Sequence, residues 1–246
     1  MDAGALETRL KTLEKQAKTA DKLKAQVEKL EKEVQTLKDI DAINRLQRAY
    51  GYYVEHMMGQ EIIDCFSTSD GVYLEWIEGR YNGQAGLHRY FAKMRDTFNH
   101  ELLHQVIQVS GIVTVAPDGL KALGRWYAFG GVAIPMGDKV RENWENSIYE
   151  MEYIKEDGVW KILSINWIIP YGVRIQDGWI MPEDIAGPML KGGSAPGGPV
   201  EPDQPMDKED LRYVTGYIFP FHFVHPVTGK PSSEATLNAR LKPIKT

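Results

Sequence analysis

The sequence predicts an α+β fold in which helices come first and a run of antiparallel strands follows. Three observations carry this. Apolar residues recur at helical spacing through most of the chain up to Thr97. From residue 104 to 169 the pattern changes to strand spacing, in segments rich in branched and aromatic side chains. The KEDG at 155–158 is a hairpin turn signal, and a tight hairpin joins antiparallel strands only.

Residues 5–40 read as a solvent-exposed helix with a narrow seam. Leu6, Leu10, Leu13, Ala17 and Ala20 set a four-three spacing, and Leu23, Val27, Leu30, Val34 and Leu37 resume it after one short step. That is a heptad pattern with a local slip, filled elsewhere by Lys and Glu. It predicts a helix made for assembly, in a coiled coil or against a neighbouring subunit; packing on its own domain is the alternative. Residues 41–66 read as a second, amphipathic helix turning into a third. Ile43, Leu46, Tyr50, Tyr53, Val54 and Met57 form one stripe, Gly59 marks the turn, and Ile62, Ile63 and Phe66 begin the next. Strands are expected at 72–77 and up to Gly83, a helix at 84–97, and strands at 104–115, 121–134, 141–154 and 159–169. The stretch 170–191 reads as irregular and 192–205 as a Gly/Pro-rich loop. The final segment, YVTGYIFPFHFVHP, is too aromatic to lie bare, so it is expected to pack on the sheet or on a neighbouring subunit. The domains so drawn are 1–40, 41–175 and 176–246.

Composition narrows the function. A hydrophobic content of 43% supports a real core, and a net charge of −5 without a basic stripe argues against nucleic acid. One cysteine, Cys65, permits no internal disulfide, and no apolar run reaches membrane-spanning length. The polar first residues lack a signal-peptide core, so a cytoplasmic location is expected. Glycine-rich nucleotide loops, GxSxG and CxxC are absent, and no cofactor is expected. HELLH at 100–104 invites a zinc reading. It precedes a strand-like run, however, and on a strand His100 and His104 lie roughly 13 Å apart, too far to share one ion. No metal is expected.

His104 is the candidate general base, because neutral imidazole accepts protons near pH 7; the alternative is a core histidine with one structural hydrogen bond. Glu55 ends the helix that begins near Ile43 and either faces solvent or points into a cavity. His56, its neighbour, is a weaker alternative. Tyr50 and Tyr53 lie on the core face of that helix. Arg125 and Tyr127 alternate on one strand face and are candidate pocket residues. Asn146, Trp167 and Tyr171 are candidate ligand contacts, with Asn143, Tyr149 and Asn166 as further polar groups whose facing is open. The aromatic side chains suit an aromatic ligand and equally suit packing. Cys65 reads as packing.

Residues 40–170 resemble the SnoaL-like branch of the nuclear-transport-factor-2-like (NTF2-like) superfamily. The marks are Tyr50, Glu55 and Phe66, the YNGQAGLHRYF stretch and the EDGVWKI hairpin. The resemblance implies a cone-shaped α+β barrel: N-terminal helices in a strongly bent antiparallel sheet around a pocket. HELLH is similar to a stretch of the hexachlorocyclohexane dehydrochlorinases, which implies His104 as base and Glu55 as its carboxylate partner. Tyr50 matches a helix tyrosine of the bile-acid dehydratases, where it helps a hydroxyl depart. Ile165 stands where the dehydrochlorinases carry an arginine, and Arg125 is the candidate replacement. The whole chain also resembles the sphingomonad lignin diarylpropane lyases, which implies conversion of a diarylpropane diol to a stilbene with release of formaldehyde. A dehydratase or isomerase of a polycyclic or aromatic alcohol, and a non-catalytic binding or assembly module, are the alternatives. Homo-oligomerisation is implied, a trimer first and a dimer second.

Overall fold

The computed structural model describes residues 3–97, 103–136, 138–177, 202–205, 220–224, 231, 233 and 235. The chain divides into two compact units, Met1–Asp41 and Ala42–Thr246.

Helix α1 (Ala3–Glu55) unites the two helical segments that the sequence separates at residue 40. No proline interrupts 3–55, so nothing breaks the hydrogen-bond ladder there. In the first unit its seam residues Leu6, Leu10, Leu13, Leu23, Val27, Leu30, Val34 and Leu37 are all exposed, between 48 and 66%. In the second unit Ile43, Tyr50 and Val54 are buried in the core. The helix stops in a Schellman motif. Met58 N donates to Tyr53 O at 2.9 Å and Met57 N to Val54 O at 3.1 Å, with Met57 left-handed at φ 53°. The turn expected at Gly59 is therefore made two residues earlier, and Gly59 opens α2 (Gly59–Asp64). Met57 takes the position because its side chain is buried, which a glycine could not provide.

Strands β1 (Tyr73–Trp76) and β2 (Gly79–Asn82) pair antiparallel, and α3 (Gly83–Thr97) follows. Then come β3 (Leu103–Val115), β4 (Lys121–Met136), β5 (Lys139–Glu156) and β6 (Val159–Arg174), all within a few residues of expectation save the end of β6. Between β5 and β6, Asp157 and Gly158 have φ 49° and 81°, the two-residue turn that matches strand twist. Strand β6 runs on to Arg174, through residues expected to be irregular. Pro170 is accommodated because the register slips there: Ile148 faces Ile168 and Asn146 faces Tyr171. A proline in such a bulge removes no ladder bond.

The sheet order is β3-β4-β5-β6-β1-β2-β7, where β7 is Gln204–Pro205 and β1 runs parallel to β6. It is a curved, open sheet among the described residues, with β3 and β7 as its end strands; with the helices packed on it, it is the α+β cone fold that the resemblance implies. A second bulge bends β3: Ser110 is left-handed at φ 55° and the register shifts between Val109 and Ile112. Gly111 is needed there, since a Cβ would lie 2.0 Å from the Trp126 ring. The segment at β7 is clipped to its neighbours by Asp203, which accepts from Arg89 at 2.6 Å and from the Asn82 backbone at 2.7 Å.

Candidate active site

Strand alternation divides the sheet into two faces, and one of them carries the helices. On β5, Asn143, Glu145, Ser147, Tyr149, Met151 and Tyr153 are buried on that face. The Tyr149 ring lies 6.5 Å from that of Tyr50 on α1. Trp126 Nε1 donates to the Tyr153 hydroxyl at 3.0 Å, which donates to Gln47 Oε1 at 2.6 Å. Gln47 Nε2 in turn donates to Gln108 Oε1 at 2.6 Å. This polar thread fixes α1 against β3, β4 and β5.

Seven aromatic rings on the helix-covered face close a loop. Trp76 stacks on Trp167 (5.3 Å), Trp167 on Tyr149 (5.7 Å), and Tyr149 meets Tyr50 edge-on. Tyr50 meets Phe66 (6.1 Å), Phe66 meets Phe91 (5.8 Å), and Phe91 meets Tyr90 (5.0 Å), which returns to Trp76 (5.6 Å). Offset and edge contacts of this kind add to burial, so the loop is a rigid floor.

The polar ends around that floor are under-used. Tyr81 and Tyr153 hydrogen-bond to Glu78 and Gln47. The hydroxyls of Tyr50, Tyr90 and Tyr149 have no hydrogen-bond partner among the described residues. Burial, and the neighbouring phenols, hold Tyr50 well above the usual range, so it is a neutral donor and no base. Burial and then the Glu145 charge raise Tyr149, and Tyr90 is raised by burial first. Trp76 Nε1, Trp167 Nε1, Ser147 Oγ and His104 Nδ1 are buried without a partner. Burying such groups unpaired costs roughly 1–3 kcal/mol each, a cost that a bound ligand would offset. Glu145 is 7% exposed, and burial raises its carboxyl against a smaller opposite pull from Arg141.

His104 lies on the helix-covered face, in a cross-strand row with Val132, Asn143 and Arg174. Burial lowers its affinity for a proton, so the imidazole is neutral near pH 7. Glu55, at the last residue of α1, is half-buried, and no hydrogen bond or ion pair joins it to His104. The pairing implied by the resemblance is thus not formed. It would require the last residue of a helix and the second of a strand to meet at one point, and neither pattern fixes that. Tyr50 and Trp167 are on this face, and Tyr53 packs half-buried against the core. His56 is exposed, and His100 lies outside the described residues.

Three expected residues are on the other face. Arg125 alternates with the inward Trp126, pairs in register with Glu150, and forms its ion pair there. The Phe221 ring caps it at 4.7 Å, and His222 Nδ1 lies 3.8 Å from Glu150 Oε2. Arg125 is therefore on the face opposite His104 and does not take the place of the arginine that the resemblance puts at Ile165, which is a fully buried core residue. Tyr127 is 44% exposed on the same outer face. Asn146 shares that face, between Phe129 and Tyr171 in register; the Tyr171 side chain lies outside the described residues. Among the described residues no three His, Cys, Asp or Glu are close enough to hold a metal ion. Burial pushes the Cys65 thiol up to about 12, which leaves it a packing residue.

Sequence reasoning missed Glu145. The signal was present: once Tyr149, Met151 and Tyr153 are set inward, period-two alternation in ENWENSIYEMEY places Asn143, Glu145 and Ser147 inward too.

The SnoaL-like domain model matches residues 35–166. Among solved structures the chain is similar to LinA, with 16% identity, a TM-score of 0.50, and coverage of 61% of this chain and 99% of that one. The same values hold for the hexachlorocyclohexane dehydrochlorinase LinA-type3 from Novosphingobium barchaimii LL02. No curated protein matches. At this identity the structural likeness establishes the NTF2-like α+β fold, while the family match spans more than half of the 246 residues. The chain belongs to the SnoaL-like domain family.

Proposed function

We propose that this protein is a cofactor-independent lyase that acts by acid–base chemistry on an aryl-substituted alcohol. The observation that carries the reading is the polar inner column of β5 beside an aromatic floor, with a neutral imidazole on the same face. Members of the family act as dehydratases, isomerases and dehydrochlorinases, all of which move a proton and expel or shift a group at a neighbouring carbon. In the specific form, His104 takes the proton of a primary hydroxyl of a diarylpropane diol. The carbon–carbon bond breaks to release formaldehyde, and its electron pair forms the stilbene double bond as the benzylic hydroxyl leaves. Tyr50, a neutral phenol, donates a hydrogen bond to the substrate. The stacked rings hold the aryl groups and exclude water, which keeps the breaking bonds aligned.

The test is incubation, without added metal or cofactor, with a panel of aryl diols, following stilbene absorbance and formaldehyde. His104→Ala is expected to lower turnover by about a thousandfold with an unchanged circular dichroism spectrum. Full activity in that variant refutes the base assignment. The unformed contact between His104 and Glu55 favours one other reading, a binding module without turnover. Tight stilbene binding with no product from any substrate would select it.

We also propose that the exposed heptad seam of α1 joins copies of the chain, as a trimer first. Leu23→Asp with Leu30→Asp is expected to reduce the mass measured by light scattering. A wild-type monomer would overturn the proposal.

A further inference from the structure

The polar column holds a group that the mechanism above leaves idle. We infer that Glu145 is the proton donor of this site: its carboxyl, on the same helix-covered face as His104, one row along and two strands across, gives its proton to the departing hydroxyl of the substrate. The inference rests on the proposed lyase reading and deepens it by supplying the acid that such an elimination needs.

Geometry supports it in three ways. The row containing Glu145 (Val106, Gly130, Glu145 and Gly172) is next to the row containing His104. The two rows are about 7 Å apart along the strands, and the residues are two strands, about 10 Å, apart across them. Both side chains reach inward from those positions on the same face, with the buried Val106 and Val132 in the same two rows. Second, Glu145 is flanked on both neighbouring strands by glycine, so no side chain of its own row crowds the carboxyl. Third, Glu145 is 7% exposed, and no hydrogen bond or ion pair holds its carboxyl among the described residues. A structural carboxylate in such a place would have a partner. The titratable groups that face it are Arg141 and Tyr149 on its own strand and Tyr90 on α3. Burial raises the carboxyl above the usual carboxylate range, the direction that favours a proton donor.

The step balances. The primary hydroxyl proton passes to His104, the carbon–carbon bond opens to formaldehyde, and its electron pair becomes the new double bond. The benzylic hydroxyl departs with the Glu145 proton as water. The imidazolium then returns its proton to the carboxylate through solvent, and no oxidant or reductant enters. The inference also narrows the substrate class: the leaving group is a hydroxyl, which needs a proton to depart, and not a halide, which does not.

The test is Glu145→Gln, which keeps size and hydrogen bonding but cannot give up a proton. With 1,2-diarylpropane-1,3-diol, kcat is expected to fall by about a hundredfold or more while KM stays within a few-fold. The fall of kcat at high pH, where the wild-type acid is ionised, is expected to vanish in the variant. Glu145→Asp should recover part of the rate. Turnover within twofold of wild type overturns the inference. Infrared spectroscopy supplies a readout independent of activity, a protonated-carboxyl band at neutral pH that Glu145→Gln removes. If the wild type turns over no diol, the lyase reading fails. The band then decides whether Glu145 is an acid at that pH, and its absence overturns the inference in either case.

Discussion

At the scale of residues, the site is governed by burial and not by ion pairing. His104 and Glu145 are pushed in opposite directions by the same cause, loss of water around the charged form, which in both favours the neutral state. The consequences for stability have opposite signs. For His104 the folded chain resists protonation, so the stability it contributes is complete above 6.5 and is lost as pH falls from 6.5 through the lowered folded value. His104→Gln should therefore flatten the acid side of a plot of Tm against pH. For Glu145 the folded chain holds the proton more tightly than the unfolded one. Stability is thus lost as pH rises from 4.5 through the raised folded value. Glu145→Gln is expected to raise Tm at neutral pH and leave it unchanged near pH 4, a difference that calorimetry across the range would detect. His104 was legible as a candidate from its motif. Its isolation from Glu55 was not, because a contact between two element ends depends on how those elements are placed.

At the scale of elements, two local backbone features can be weighed by magnitude. Met57 is left-handed at the end of α1, a strain of roughly 1–2 kcal/mol for a non-glycine residue. Its buried side chain contributes roughly 2–3 kcal/mol. Burial wins, so Met57→Gly is expected to destabilise by about 1 kcal/mol in urea denaturation, despite the relieved backbone. Gly111 in the β3 bulge is a different case. A Cβ would penetrate the Trp126 ring, which is itself tied to Tyr153, so Gly111→Ala should cost about 2 kcal/mol. The KEDG turn was readable because Asp157 and Gly158 carry their preference locally. The continuation of β6 through Pro170 was not, because a proline reads as a stop unless a bulge on that strand excuses it.

At the scale of the whole molecule, the second unit packs residues 42–55 of α1, with α2 and α3, on one face of an open sheet. The opposite face carries its own polar row. Arg125 and Glu150 pair there, and Glu75 pairs with Arg80 farther along the same row. That face holds Arg125, Tyr127 and Asn146 away from His104. Arg125→Ala is accordingly expected to lower stability, through the buried ion pair left half-empty, by roughly 3 kcal/mol. Its effect on kcat should be far smaller than that of His104→Ala. A comparable loss of kcat in the two variants would contradict the division into faces.

The amino-acid order alone determined the succession of helices and strands, the hairpin, the heptad seam and the short list containing His104 and Tyr50. Each is written in local periodicity or in the preference of one or two residues for a backbone shape. Which face of the sheet the helices cover was decided only by the folded chain, since strand alternation sorts residues into two sets without naming the inner one. That choice moved Arg125 out, brought Glu145 in, and left His104 on the same face as a carboxyl that its own motif did not contain.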